Sequence, residues 1–288
     1  MSELKVRELS PAFGAEIEGL DPRIPLDDAT VQQLRRLFDE RSVLVFRDLD
    51  IDEEFQRYLV FALIGQEPPA VSPTGPEPFL VSNRAENGGA PYGRLLFHCD
   101  TMWADVQQPN LSLYGVEVGQ PSVPTMFASM VDGWDRLPDE LRARVAGLEA
   151  RHGHEDKYPN RGGDADVIDA HYDTPQSTVK PVAFPHPTTG RMVLYVSQQV
   201  TIEILGLDPD ENEELLQQLF DVLYDDSHIV RHDWRTGDLV VWDNRAVQHA
   251  RGNVNLDGPE RTLRKVTGPL HLSASEKARP TFSKIGSR

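Results

Sequence analysis

His98 and Asp100, in the segment Phe97-His98-Cys99-Asp100-Thr101-Met102-Trp103, are side chains of the types that ligate divalent metals. Successive side chains of a β-strand face opposite sides, so on a strand these two share a face and Cys99 points away from it. A third ligand has to come from a distant part of the chain, and the best candidate is His249, in Trp242-Asp243-Asn244-Arg245-Ala246-Val247-Gln248-His249. Two imidazoles and one carboxylate on one face leave adjacent coordination positions open. That arrangement suits non-haem iron(II) and oxygen chemistry, with room for a bidentate oxoacid and then O₂.

Downstream lies Glu260-Arg261-Thr262-Leu263-Arg264-Lys265-Val266. On a strand Arg261, Leu263 and Lys265 share one face and Arg264 the other. A guanidinium clamps a carboxylate with two parallel hydrogen bonds, which makes Arg261 a natural anchor for the far end of 2-oxoglutarate. The hydroxyl of Thr125 is a candidate to complete that clamp. Lys265 can meet an anionic group on a substrate, with Lys157, Tyr158, Arg161 and Lys180 as further contributors. Trp103 is a candidate for the substrate pocket, with an ordinary core tryptophan as the competing reading.

Other chemistry-bearing residues are read more plainly. The cluster His152-Gly153-His154-Glu155-Asp156 reads as a solvated loop, and His228 and His232 fall in strand-like surroundings that do not suit a helical metal pair. Cys99 is expected to be a buried small residue. Arg245 is expected to brace the strand of His249.

The elements that must hold these residues are mostly strands. Candidates are Val43-Leu44-Val45-Phe46, 95–100, 111–118, 125–129, 193–197, Ile229-Val230, 238–243 and 262–267. Helices are expected after Asp27-Asp28, where Val31, Leu34, Leu37 and Phe38 form a stripe, and over 53–63. Two more are expected through Leu137, Leu141, Val145 and Leu148, and through Leu215, Leu216, Leu219, Phe220 and Leu223. The acidic run Asp208-Pro209-Asp210-Glu211-Asn212-Glu213-Glu214 suits the start of that last helix, where negative charge meets the positive end of the dipole. Two polar, irregular regions, about 66–94 and 151–192, are expected to be lid loops that set specificity. The expected architecture is mainly β with peripheral helices, a jelly-roll sandwich in one domain spanning 1–288.

Composition limits the partners. The 288 residues carry 46 acidic and 29 basic side chains, a formal charge of −17, which repels phosphate backbones and anionic lipid. Nucleic acid and membrane are therefore not expected partners. No stretch approaches the roughly 20 apolar residues of a membrane-spanning helix, and Met1-Ser2-Glu3-Leu4-Lys5 lacks the pattern of a signal peptide. A single cysteine fits a reducing cytoplasm.

The chain resembles the taurine/2,4-dichlorophenoxyacetate dioxygenases. The likeness runs from Phe13-Gly14-Ala15-Glu16-Ile17 through Val43-Leu44-Val45-Phe46-Arg47-Asp48 to Trp242-Asp243-Asn244-Arg245 and Arg261, covering the chain to about Gly268. The resemblance implies a double-stranded β-helix (a cupin-like jelly roll) and iron(II) held by His98, Asp100 and His249. It also implies 2-oxoglutarate held by Arg261 and Thr125, and hydroxylation of a small organic substrate by O₂ with release of succinate and CO₂. Homodimers or homotetramers are common among such proteins. Where taurine-oxidising members carry an arginine for the sulfonate, this chain has Lys265, a point charge without the bidentate fork. Two rival functions use the same three residues: a zinc-dependent hydrolase, and a non-catalytic jelly-roll binding protein.

Overall fold

The structure, a computed structural model, describes residues 4–73, 75, 77–153, 166–171, 177–270 and 281–284, the backbone alone for 169–171 and 281–284. Two sheets face each other. The larger has seven strands in the spatial order Lys5–Glu8, Ala15–Glu18, Val43–Phe46, Leu239–Asp243, Asn110–Val118, Arg261–Thr267 and Phe79–Ser82. The smaller has four, in the order Val230–His232, Thr125–Ser129, Val247–Val254 and Gly93–His98. Among these strands every pairing is antiparallel except Ala15–Glu18 with Val43–Phe46. This is the jelly-roll sandwich expected from the sequence.

Alternation sorts the side chains of the large sheet into two cores. Val43, Val45, Val240, Trp242, Leu111, Leu113 and Leu263 turn inward and meet Phe127 and Val247 of the small sheet. Leu44, Phe46, Leu239, Val241 and Val266 turn outward and are covered by Leu34, Phe38, Leu59 and Val60. Those covering residues come from helices Asp28–Arg41 and Glu53–Leu63. Asp27 and Asp52 cap the two helices, each side chain accepting a backbone N–H at 2.8 Å. A third helix, Pro209–Leu223, is capped by Asp208 as its acidic start predicts, and buries Leu215, Leu216, Leu219 and Phe220 in a separate cluster.

Several elements depart from the sequence expectation. The first irregular region contains an edge strand, Phe79–Ser82, which pairs with Arg261–Thr267. Among its described residues the second is substantially sheet: Glu149–Gly153, Ser177–Pro181, Ala183–Pro185 and Met192–Leu194 all lie in or beside 151–192. These strands are short, and Ser177–Pro181 exposes Val179 while Thr178 and Lys180 lie on its less exposed face, so apolar alternation does not mark them. His154, Lys157, Tyr158 and Arg161 lie outside the described residues. His152 is not in a solvated loop. It is fully buried on Glu149–Gly153, with Nδ1 3.1 Å from Thr201 Oγ1 and its ring edge-on to Tyr195.

Candidate active site

The small sheet turns Thr125, Phe127, Val247, His249 and Arg251 toward the interior, because these alternate with Met126, Ala128, Gln248 and Ala250 on paired strands. His98 is the ladder partner of His249, and the two rings stand 4.2 Å apart between centroids. The strand stops at His98, so Asp100 does not share its face by alternation as the sequence suggests. Asp100 lies in the turn that follows, before Thr101 in the left-handed region (φ 53°). The turn nevertheless returns the carboxylate to the histidines. Asp100 Oδ1 is 3.6 Å from His98 Nε2 and 3.8 Å from His249 Nε2. One ligand atom from each of the three residues lies within 4.8 Å of the others.

The remaining atoms of the trio prepare it for a cation. His98 Nδ1 sits 2.7 Å from Leu96 O, a contact that requires the proton on Nδ1 and leaves the Nε2 lone pair facing the site. Burial and the neighbouring His98 push the His249 imidazole well below its ordinary value, which favours the neutral, ligating form. For Asp100, burial works toward the neutral acid. The Lys265 ammonium and the two histidines outweigh it and hold the carboxyl well below the usual range. Two neutral imidazoles and one carboxylate are the donor set of non-haem iron, so the residues present fit that ion.

Lys265 reaches the site on the inward face of Arg261–Thr267, as predicted. Its ammonium forms an ion pair with Asp100 Oδ2 and lies 5.7 Å from the Phe79 ring centre. The lysine expected at a substrate is thus placed first of all on the aspartate. Trp103 sits 3% exposed in a cluster with Cys99, Met102, Met130 and Tyr195, the core position that competed with a substrate role. Cys99 is buried beside Met130, also as expected. Lys180 binds Ala104 O at 2.8 Å and lies over the Tyr195 ring, while burial pulls its ammonium down to about 8.

Farther along the same interior face, Arg261 and Thr125 meet. Arg261 Nη2 donates to Thr125 Oγ1 at 3.2 Å, and Arg261 Nε donates to Val123 O at 3.3 Å. Trp234, which no sequence pattern marks for this site, also donates through Nε1 to Thr125 Oγ1, at 2.9 Å. A hydroxyl oxygen accepts two hydrogen bonds and donates one, so Thr125 keeps its own proton for a further acceptor. Arg251 is a further addition to the site, though its position two residues beyond His249 marks it for the same face. Its guanidinium donates to Ala90 O, Tyr92 O and Gly93 O at 2.7–2.9 Å, tying the end of the first irregular region to the His249 strand. Burial brings Arg251 down to about 10, and burial together with Arg251 pushes Arg261 well below its usual value. An incoming carboxylate would relieve both.

Arg245 does not reach the His249 strand as a brace. Its backbone N–H caps Asp243 Oδ1 at 2.9 Å and its side chain extends to Thr188. His228 and His232 also serve structure, paired with Asp132 at 3.0 Å and Asp238 at 3.2 Å.

Comparison with known proteins agrees with this geometry. A family model described as taurine catabolism dioxygenase TauD, TfdA family, matches residues 5–267. The (S)-phenoxypropionate/alpha-ketoglutarate-dioxygenase of Sphingobium herbicidovorans is 33% identical, over 85% of this chain and 88% of its own. Pentalenolactone F synthase of Streptomyces avermitilis is 30% identical, over 88% of this chain and 90% of its own. The solved structure of a taurine dioxygenase from Burkholderia xenovorans superposes with a TM-score of 0.75 at 26% identity, covering 98% of this chain and 96% of that one. With its His98–Asp100–His249 cluster, its buried arginine and these relatives along nearly its whole length, the chain belongs to the TauD/TfdA dioxygenase family.

Proposed function

We propose that His98 Nε2, Asp100 Oδ1 and His249 Nε2 hold iron(II), and that Arg261 and Thr125 hold the distal carboxylate of 2-oxoglutarate (alpha-ketoglutarate). The chain is then a 2-oxoglutarate-dependent dioxygenase of a small organic substrate. One observation carries the reading: a two-histidine, one-carboxylate trio and a buried Arg–Thr pair line the same interior face. Iron, 2-oxoglutarate and O₂ together supply the oxidising power that by default places a hydroxyl on a substrate C–H bond, with succinate and CO₂ as coproducts.

The protein's own residues bind, orient and keep water out. Leu96 O fixes the His98 tautomer, and Lys265 keeps the second carboxylate oxygen of Asp100, leaving Oδ1 for the metal. Val240, Trp242, Leu263 and Phe127 fill the sandwich and exclude water from that side. We assign the segments around 66–94 and 151–192 as the walls of the substrate chamber, in a single domain over 1–288.

For the substrate we propose a small organic acid. The Sphingobium relative is named for phenoxypropionate, and Lys265 provides a cation beside the trio that an anionic group can share with Asp100. A zinc hydrolase would have no use for the buried Arg261–Thr125 pair. A cytoplasmic setting fits the lone buried Cys99. A homodimer or homotetramer, measurable by light scattering, completes the reading.

Anaerobic absorption spectroscopy of the metal-free protein, titrated with iron(II) and then 2-oxoglutarate, tests the core of it. A visible metal-to-ligand charge-transfer band is expected, reached in Arg261→Ala only at much higher 2-oxoglutarate. Iron binding without any band would remove the cosubstrate assignment. Succinate release across phenoxyalkanoates, alkyl sulfates and sulfonates then tests the substrate class, with carboxylates expected ahead of taurine.

A further inference from the structure

His98 and His249 are held by strand pairing, but Asp100 lies beyond the end of its strand, and Arg261, the ladder partner of Val118, has lost the pairing on its other edge. The His98 strand ends two residues before Asp100, so no ladder bond fixes the backbone that aims the carboxylate. Asn244 takes that place. Its Oδ1 accepts the Asp100 N–H at 3.0 Å, and its Nδ2 donates to Asp100 O at 2.8 Å and to Gln108 O at 3.1 Å. Its own backbone N–H donates to Pro109 O at 2.9 Å, and the residue is fully buried. Both polar groups of the Asp100 main chain thus end on one side-chain amide.

The same device recurs at the other end. The edge strand Phe79–Ser82 pairs with Arg261–Thr267 as far as Ser82 opposite Thr262, and the next rung would face Arg261. There the Asn83 side chain substitutes for a backbone carbonyl. Its Oδ1 accepts the Arg261 N–H at 2.9 Å, while its Nδ2 donates to Asn255 O and Pro259 O, each at 3.0 Å. Asn83 is itself 7% exposed. An amide offers an acceptor and two donors in one plane, so it can replace a rung on one strand and hold a neighbouring loop at the same time.

We propose that Asn244 is the positioning residue of the metal ligand Asp100, and Asn83 that of the cosubstrate arginine Arg261. The inference rests on the roles given to Asp100 and Arg261 under Proposed function. It makes the two ends separable, because each asparagine touches the backbone of one functional residue and not the other.

The test uses Mn(II) binding to the metal-free protein, followed by electron paramagnetic resonance, and 2-oxoglutarate binding to the Mn(II)-saturated protein, followed by calorimetry. Asn244→Ala should weaken Mn(II) binding by about 10- to 100-fold, the usual effect of removing a partner that orients a ligand. Its 2-oxoglutarate affinity should stay within about twofold. Asn83→Ala should do the reverse, lowering 2-oxoglutarate affinity by about 3- to 10-fold, as loss of one oriented hydrogen bond does. Should Asn244→Ala not fold by circular dichroism, Asn244→Ser leaves a smaller gap and carries the same expectation. Variants that weaken both ligands together, or neither, overturn the inference: the amides then only support the sandwich. If the wild-type chain itself binds no Mn(II), the metal assignment falls first. If the wild type binds it and the variants match it, the inference alone falls.

Discussion

The end of the site proposed for the metal and the end proposed for the cosubstrate lie on one interior face, yet their electrostatics are opposite in kind. At the proposed metal end Asp100 already has a cation, the Lys265 ammonium, and burial holds His249 toward its neutral form. At the cosubstrate end Arg251 and Arg261 are buried side by side, and among the described residues their guanidinium hydrogen bonds go to carbonyl and hydroxyl oxygens, not to a carboxylate. Burying a guanidinium without an anion is unfavourable, and two together more so. The metal end is therefore close to balanced in the bare protein. The cosubstrate end is short of negative charge, and a dicarboxylic acid is the natural means of supplying it.

Removing a ligand should produce the largest effect. His249→Ala takes one of three donors and should lower Mn(II) or iron(II) affinity by more than about 100-fold, beyond the range seen for supporting residues. 2-Oxoglutarate turnover should fall to background, measured as succinate release. The bare fold should survive, because the Asp100–Lys265 pair does not depend on His249. Full metal occupancy and turnover in this variant would end the assignment of the trio.

Arg261→Met separates the two ends more sharply. Loss of a charged hydrogen-bond partner should lower 2-oxoglutarate affinity by about 100-fold, or ~3 kcal/mol. Metal affinity should not move. Because the replaced group is a buried cation with no carboxylate beside it, the melting temperature without 2-oxoglutarate should hold or rise. A large drop in melting temperature would mean that Arg261 is balanced already, and the contrast between the ends would be wrong.

Acid should act on the scaffold near the site through His152. Burial, with Lys180 adding to it, pushes this imidazole down to about 3. In the unfolded chain it titrates near its ordinary value of about 6.5. Between those values the unfolded state binds a proton that the folded state refuses. Its contribution to stability is therefore complete above about pH 6.5 and falls away as pH drops toward 3. By pH 5 the loss should be about 2 kcal/mol. Denaturant unfolding of His152→Asn should show a flatter slope between pH 7 and pH 5. An unchanged slope would place the acid sensitivity at the site itself.

Much of this arrangement was legible in the sequence, and the gaps have physical causes. The alternation of Arg261, Leu263 and Lys265 against Arg264 held, because the strand is buried on both sides and each residue has a distinct environment: Arg264 bonds Gln56 Oε1 at 2.8 Å on the helical face. His98 and Asp100 were correctly brought together for an incomplete reason, since a turn and not a strand carries the carboxylate back. The spacing of Arg251 from His249 marks its face but not its partners, the carbonyls of Ala90, Tyr92 and Gly93, and nothing local ties Trp234 to Thr125, far away in the chain. Asn244 and Asn83 escape notice for the same reason. A side-chain amide that replaces a ladder bond looks like a loop residue until the strands are placed.

The smallest effect expected is at Thr125, and it bears most directly on how the cosubstrate end is built. Its oxygen accepts from Trp234 Nε1 and from Arg261 Nη2, so the hydroxyl proton is the one group left to meet a carboxylate. Thr125→Val keeps the shape but removes acceptor and donor together. Loss of the donor should weaken 2-oxoglutarate by about 5- to 10-fold, near 1 kcal/mol. Loss of the acceptor leaves a buried indole N–H unpaired and should destabilise the protein by about 1–3 kcal/mol. Thr125→Ser restores both functions, so it should recover affinity and stability together in anaerobic titration and thermal melting. If Thr125→Val loses stability but binds 2-oxoglutarate as the wild type does, the hydroxyl only seats Trp234 and Arg261. Arg261 would then hold the distal carboxylate without it, and the charge shortage, not a shaped clamp, would be what the cosubstrate end offers.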